Sequence, residues 1–187
     1  MRFIYCLPLA LSLMVFSAGC SDSTGTTTTL SLVTDTVTVY APDSTAPGRP
    51  TAVDITTDGA FGIVGPRYPE RVSQALAWDL TLRRVDGRLL ILPQSAVVPG
   101  SRAALSGPIT GQTFETMIEA PGQSTFRADS IPLTPGQLLA VRSRDLGSGC
   151  VVFAKIQAVT VNVAEGSAHF RLVANGTCND PRLTTIE

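Results

Sequence analysis

The stretch that decides the fold is Cys150–Cys178, CVVFAKIQAVTVNVAEGSAHFRLVANGTC. Its two halves alternate apolar and polar residues around Glu165-Gly166, the pattern of two strands joined by a tight turn. A two-residue turn pairs Val163 with Ala168, Val161 with Phe170 and Val159 with Leu172. Those six residues form one apolar face, and a half-buried ribbon is held in register by such a face. The other face pairs Asn162 with His169 and Thr160 with Arg171, and reads as solvent-facing. Cys150 and Cys178 close the open end of the ribbon. A bulge of two or three residues would bring them opposite each other and allow a disulfide, the alternative being two buried free thiols.

Outward from this hairpin the chain repeats the same signals. Residues 30–40 (LSLVTDTVTVY) are rich in Val and Thr, and a Pro/Gly/Ser loop follows over 41–50. Residues 51–57 read as a strand ended by Asp58-Gly59. In 75–84 (ALAWDLTLRR), Leu76, Trp78, Leu80 and Leu82 share one face. Val85-Asp86-Gly87 turns the chain into the apolar run 88–92. Residues 99–111 read as loop, and 113–120 (TFETMIEA) as the one short helix, closed by Pro121-Gly122. Strands over 125–129, 137–144, 150–163 and 167–175 complete the reading. Many short strands separated by Gly/Pro turns imply an all-β, mostly antiparallel sandwich or barrel-like sheet, with at most one short helix.

Charge excludes one class of partner. There are 14 basic and 15 acidic residues, so no basic field is present to hold nucleic acid. Catalytic signatures are also missing. His169 is the only histidine, and Ser-His-Asp or Cys-His chemistry would have to use it. The chain carries no HExxH, CxxC, GxSxG, GxGxxG or phosphate-binding GxxxxGK[ST]. No pair of carboxylates stands out for glycoside chemistry. The expectation is a non-enzymatic protein without a metal site. Arg83, Arg84 and Arg88 gather at the Asp86-Gly87 turn, either as a solvated strand edge that blocks aggregation or as a clamp for an anion. Asn175-Gly176-Thr177 matches a glycosylation sequon.

The N-terminus sets the address. Arg2 precedes an uncharged apolar run over 3–16, the length of a signal-peptide core and too short to span a bilayer. Phe16-Ser17-Ala18-Gly19-Cys20 resembles a bacterial lipobox, although Ser17 stands where that motif usually has Leu. The resemblance implies removal of 1–19 and acylation of Cys20, by palmitate-type chains; the alternative is an ordinary secretory signal with an incidental Cys. Residues 20–29, the lipidated Cys and a run of small polar residues, then form a flexible tether. Two or more acyl chains give stable anchoring where one does not. Ser21 lacks the acidic character that retains such proteins at the inner membrane, which points to a lipid anchor in the outer membrane of the bacterial cell envelope. Residues 30–187 form a single all-β domain in this reading. Export also lets a Cys150–Cys178 disulfide persist.

Further residues carry a family resemblance. Residues 78–84 (WDLTLRR), Thr113-Phe114-Glu115 with Glu119-Ala120-Pro121, LAVRS over 139–143, VFAKI over 152–156 and HFRLVANG over 169–176 together resemble HmuY-like haem-carrier lipoproteins. The similarity spans about residues 51–176 and implies an all-β, exported, lipid-anchored protein. The best-known members grip haem between two histidines. One histidine excludes that within a single chain, leaving His169 with Met117, or Tyr68, as the candidate ligands. The resemblance thus implies a ligand-binding module with haem doubtful as its ligand. The other reading is a structural or protein-interaction module of the envelope.

Overall fold

A computed structural model describes residues 32–44, 48–56 and 65–184. The apolar run, Cys20 and the tether lie outside the described residues. Among the described residues ten strands run β1 Leu32–Tyr40, β2 Ala52–Asp54, β3 Gly65–Arg67, β4 Leu80–Val85, β5 Arg88–Pro93, β6 Ala104–Leu105, β7 Ile131–Pro132, β8 Leu138–Arg142, β9 Phe153–Asn162 and β10 Ser167–Asn175. They form two antiparallel five-stranded sheets, ordered β1-β10-β9-β8-β6 and β3-β2-β4-β5-β7. The all-β reading holds, as two facing sheets and not a closed barrel.

Alternation builds the space between the sheets. Val37 and Val39 of β1, Leu80 and Leu82 of β4, Leu89 and Ile91 of β5, and Ala168, Phe170, Leu172 and Ala174 of β10 all turn inward. The first sheet is also covered on its outer face. There Phe114, Met117, Ala120 and Phe126 pack on Leu138, Ala140, Phe153 and Val173, with Leu183 from the C-terminal segment. Burial on both faces explains why β8 and the first half of β9 read as continuous apolar runs (LLAV, FA-I) rather than strict alternation.

The hairpin register differs from the expectation. The turn takes four residues, 163–166, so that Asn162 faces Ser167, Val161 faces Ala168 and Thr160 faces His169. A one-residue bulge follows at Val159, after which Ala158 faces Phe170 and Ile156 faces Leu172. The bulge switches which side of β9 faces inward. Val159, expected in the core, is therefore 45% exposed. Phe153, on the expected apolar face, and Val173, on the face expected to meet solvent, both pack into the second core instead. The new register places Cys150 opposite Cys178, and they are disulfide-bonded, with Cα atoms 5.1 Å apart.

Three other expectations are corrected. Residues 113–120 are not a helix. A single turn forms, with the Met117 N–H donating to the Thr113 carbonyl at 3.0 Å, while the Thr113 and Thr116 hydroxyls compete for nearby backbone N–H groups. The chain then leaves the turn to pair with the C-terminal segment: Ala120 N–H donates to Pro181 O and Leu183 N–H to Ile118 O. Residues 125–129 are not a strand either. A 3-10 turn at Gln123–Thr125 precedes one isolated bridge, Arg127 to Leu105. Finally, β4 begins only at Leu80, because Val72–Gln74 forms a 3-10 turn and Ala77 bonds back to Gln74. Leu76 is consequently 64% exposed instead of sharing the buried face of Leu80 and Leu82.

Candidate functional site: a groove beside Trp78 and the ion network beneath it

While the second core covers part of the first sheet's outer face, the second sheet carries a groove on its outer side. A groove of about 680 Å³ lies there, within the range of small-molecule sites. Trp78, Leu92 and Val97 give it apolar wall, Pro42 and Pro69 close its flanks, and Thr81 and Arg83 project into it from β4. The cavity also reaches Arg84 and Leu82, where β4 loses its partner: β2 faces β4 only at Thr81 and Leu80. Asp43, Glu70 and Arg49 complete the charged rim.

Trp78 is held firmly. Its indole Nε1–H donates to the Ala75 carbonyl at 2.9 Å, and the ring is buried. The next residue is the anchor. Asp79 has no exposed surface; its N–H donates to Val53 O, and its carbonyl accepts from Gln94 N–H, both at 2.7 Å. Its carboxylate accepts from Ile55 N–H at 2.9 Å and Arg144 N–H at 2.8 Å. The Arg144 guanidinium lies 3.2 Å from Asp79 and 2.9 Å from Asp54. Arg67 reaches Asp54 from β3 at 3.0 Å, and Thr56 donates to the same carboxylate through N–H and hydroxyl. Arg144 follows β8 in the first sheet; both aspartates belong to the second. The network therefore ties the two sheets together.

Electrostatics separate the two aspartates. Burial pushes the Asp79 carboxyl up to about 7, against the opposing pull of Arg144. Burial also raises Asp54, but Arg144 and Thr56 outweigh it and hold that carboxyl below its ordinary value. Sequence reasoning singled out no carboxylate pair, since no local spacing joins residues 54, 79 and 144. Both aspartates are sealed from solvent and fully hydrogen-bonded, which suits a staple and not acid–base chemistry.

The expected ligand residues are not brought together. His169 stands on β10, with its Nδ1 2.9 Å from the Thr38 hydroxyl. Met117 is buried in the second core at 1% exposure, and its carbonyl accepts from the Lys155 ammonium at 2.8 Å. The same lysine sits 4.9 Å from the Phe114 ring, and burial lowers its pKa. Tyr68 is covered by the Arg71 guanidinium at 4.0 Å. Among the described residues the groove lining contains no His, Met, Cys or Tyr, so these residues do not fit axial ligation of a haem. Among the described residues no group of three or more His, Cys, Asp or Glu is placed to hold a metal ion. The sequon Asn175 is buried, its side-chain amide donating to Asp180 O and Arg182 O. Of the arginines at the Asp86-Gly87 turn, Arg83 and Arg84 line the groove and Arg88 does not. Comparison with known protein families, with curated proteins and with solved structures finds no match.

Proposed function

We propose that this chain is a non-enzymatic, lipid-anchored binding module of the bacterial outer membrane, of HmuY-like type, which takes a small ligand in the groove beside Trp78. The observation that carries the reading is the groove itself: about 680 Å³ of space with apolar walls and a few charged side chains, on the outer side of the second sheet. The Phe16–Cys20 lipobox resemblance supplies the address, and the tether over 20–29 holds the domain off the membrane. Haem is the ligand class that the groove supports least, since it offers no axial ligand.

Two measurements test this reading. Acyl labelling of the full chain is expected to disappear in Cys20→Ser, with the protein leaving the outer-membrane fraction; unchanged labelling refutes the anchor. Haemin titration, followed at the Soret band, is expected to give no saturable shift. A saturable shift abolished by His169→Ala would move the ligand site to β10.

One observation favours the second reading, a protein-interaction module. β1 is a nine-residue strand that, among the described residues, pairs only with β10, and free edges can accept an added strand. Its Asp35 carboxylate already takes the Thr36 N–H at 2.6 Å, which blunts that edge.

A further inference from the structure

We infer that the end of the sandwich at which β1 begins lies against the lipid bilayer, with Val72, Leu76, Val97 and Leu146 in contact with it. This rests on the lipid-anchor reading above and says how the anchored domain faces the membrane.

Four apolar side chains stand out on the surface. Val72 is 96% exposed, and Leu76, Val97 and Leu146 are exposed as well. Single exposed apolar residues are ordinary, but their gathering on one surface marks a contact site. Hydrogen bonds gather these four. Ala75 N–H donates to Val72 O and Ala77 N–H to Gln74 O, so the chain coils through Val72 and Leu76. The Gln94 side-chain amide donates to Leu76 O at 3.1 Å, and Val97 N–H donates to Gln94 O at 2.9 Å. Leu76 and Val97 are thereby joined. The Arg102 guanidinium lies 3.6 Å from Asp145, which brings the loop of Leu146 beside the loop of Val97.

The anchored chain enters at this same end. Leu32, the first residue of β1, faces Asn175, which faces Phe153, which faces Arg142. These four residues mark one end of the first sheet. Two positions beyond Arg142, Arg144 N–H donates to Asp79 at 2.8 Å, immediately before β4 begins at Leu80. The loops that carry Leu76, Val97 and Leu146 therefore leave the sandwich where β1 starts. Cys20 precedes Leu32 by twelve positions, at most about 40 Å of extended chain. An acylated Cys20 keeps this end close to the bilayer at an effective concentration of about millimolar, so even a weak contact is populated.

Charge points to a neutral contact. The exposed Glu70 and Asp145 stand against the exposed Arg71 and Arg102, so these loops present no basic field to anionic headgroups. Side chains reach the boundary of headgroups and acyl chains, and the loop backbone stays among the headgroups, because irregular backbone does not enter hydrocarbon.

The chain carries its own reporter. Trp78 is the only tryptophan and stands two residues from Leu76. The protein expressed from the full chain is reconstituted in phosphatidylcholine vesicles, plain or brominated on the acyl chains near the glycerol. Trp78 emission is read in the vesicles recovered by flotation. The expected result is loss of about half the emission in brominated vesicles, since the contact residues sink about 5–10 Å into the boundary. Val72→Asp with Leu76→Asp should return the emission to the level of plain vesicles while the protein still floats; Val72→Asp alone serves if the pair does not fold. Val85→Asp, at the far end of β4, should leave the quenching unchanged. Flotation without quenching overturns the docking, leaves the anchor reading standing and gives the patch to a protein partner. Quenching that survives the aspartate substitutions, or that needs added phosphatidylglycerol, overturns the apolar contact as well. No flotation overturns both readings.

Discussion

Arg144 is the residue on which the two sheets meet. Its guanidinium serves two carboxylates that have almost no solvent contact of their own. Removing one member of a buried pair strands the others, at a cost of about 3–5 kcal/mol. Arg144→Ala is expected to lose that much in denaturant unfolding. The loss should be larger at pH 8 than at pH 5, because two unpaired carboxylates are cheaper to bury when protonated. In the wild type the pH dependence has a definite sign. Asp79 is held near 7, above its unfolded value, so the folded state keeps a proton that the unfolded chain releases. Its contribution is fully present at acid pH, is lost as pH rises from about 4 to about 7, and is then constant. Asp54, held low, acts oppositely: its contribution is present above the ordinary carboxylate range and is lost as pH falls through its folded value. Thermal melts of Asp79→Asn should lack the decline between about pH 4 and 7, at the expense of about 1–3 kcal/mol for the backbone N–H left unpaired. A decline that persists in the variant would assign it to another group.

At the scale of elements, two short hairpins show how strongly turn chemistry sets register. The β4–β5 turn uses Asp86 and Gly87 at φ 49° and 71°, the left-handed pair that a two-residue turn requires. This is the turn that the Asp-Gly dipeptide signals. The β9–β10 turn contains a similar signal, Glu-Gly, yet it closes over four residues, and a bulge at Val159 then changes parity. The contrast predicts two substitutions. Val159→Thr should be neutral to within about 0.5 kcal/mol, since the side chain points outward. Leu172→Ala, in the centre of the core, should cost about 2–5 kcal/mol. A large loss from Val159→Thr would mean that the bulge is elsewhere.

For the whole molecule, the disulfide matters through what it restrains. Cys150 and Cys178 lie 28 residues apart in the chain, and a loop of that size is worth about 3–4 kcal/mol on the chain-entropy estimate. The segment after Cys178 carries Pro181 and Leu183, which bond and pack against 118–120 over the outer face of the first sheet. Cys150→Ala with Cys178→Ala should therefore lower stability by that amount. Hydrogen exchange should quicken first at Ala120 and Leu183, and only later in β10. Uniform acceleration across both sheets would show that the cover and the sandwich open together.

What the sequence by itself determined follows from local rules. Strand-forming residues between Gly/Pro turns made the all-β class legible, and alternation exposed the inward residues of β1, β4 and β10. The pairing of Cys150 with Cys178 was legible because their positions lay close to the hairpin register. Only the tertiary structure decided the rest. Residues 113–120 had a helix-like composition, but Ala120 and Leu183 drew that backbone into a long-range pairing that no local window contains. The bulge at Val159 changes which β9 residues face inward, and the pairing with β10 that defines it has no local sequence signal. Of the candidate site, only Arg83 and Arg84 stood out, as part of an arginine cluster read as a strand edge or an anion clamp; Trp78 was read as part of an apolar strand face, and the expected ligands His169, Met117 and Tyr68 lie outside the groove. Asp54, Asp79 and Arg144 remained hidden, because a buried charge is recognised by its partners, and those come from two different sheets.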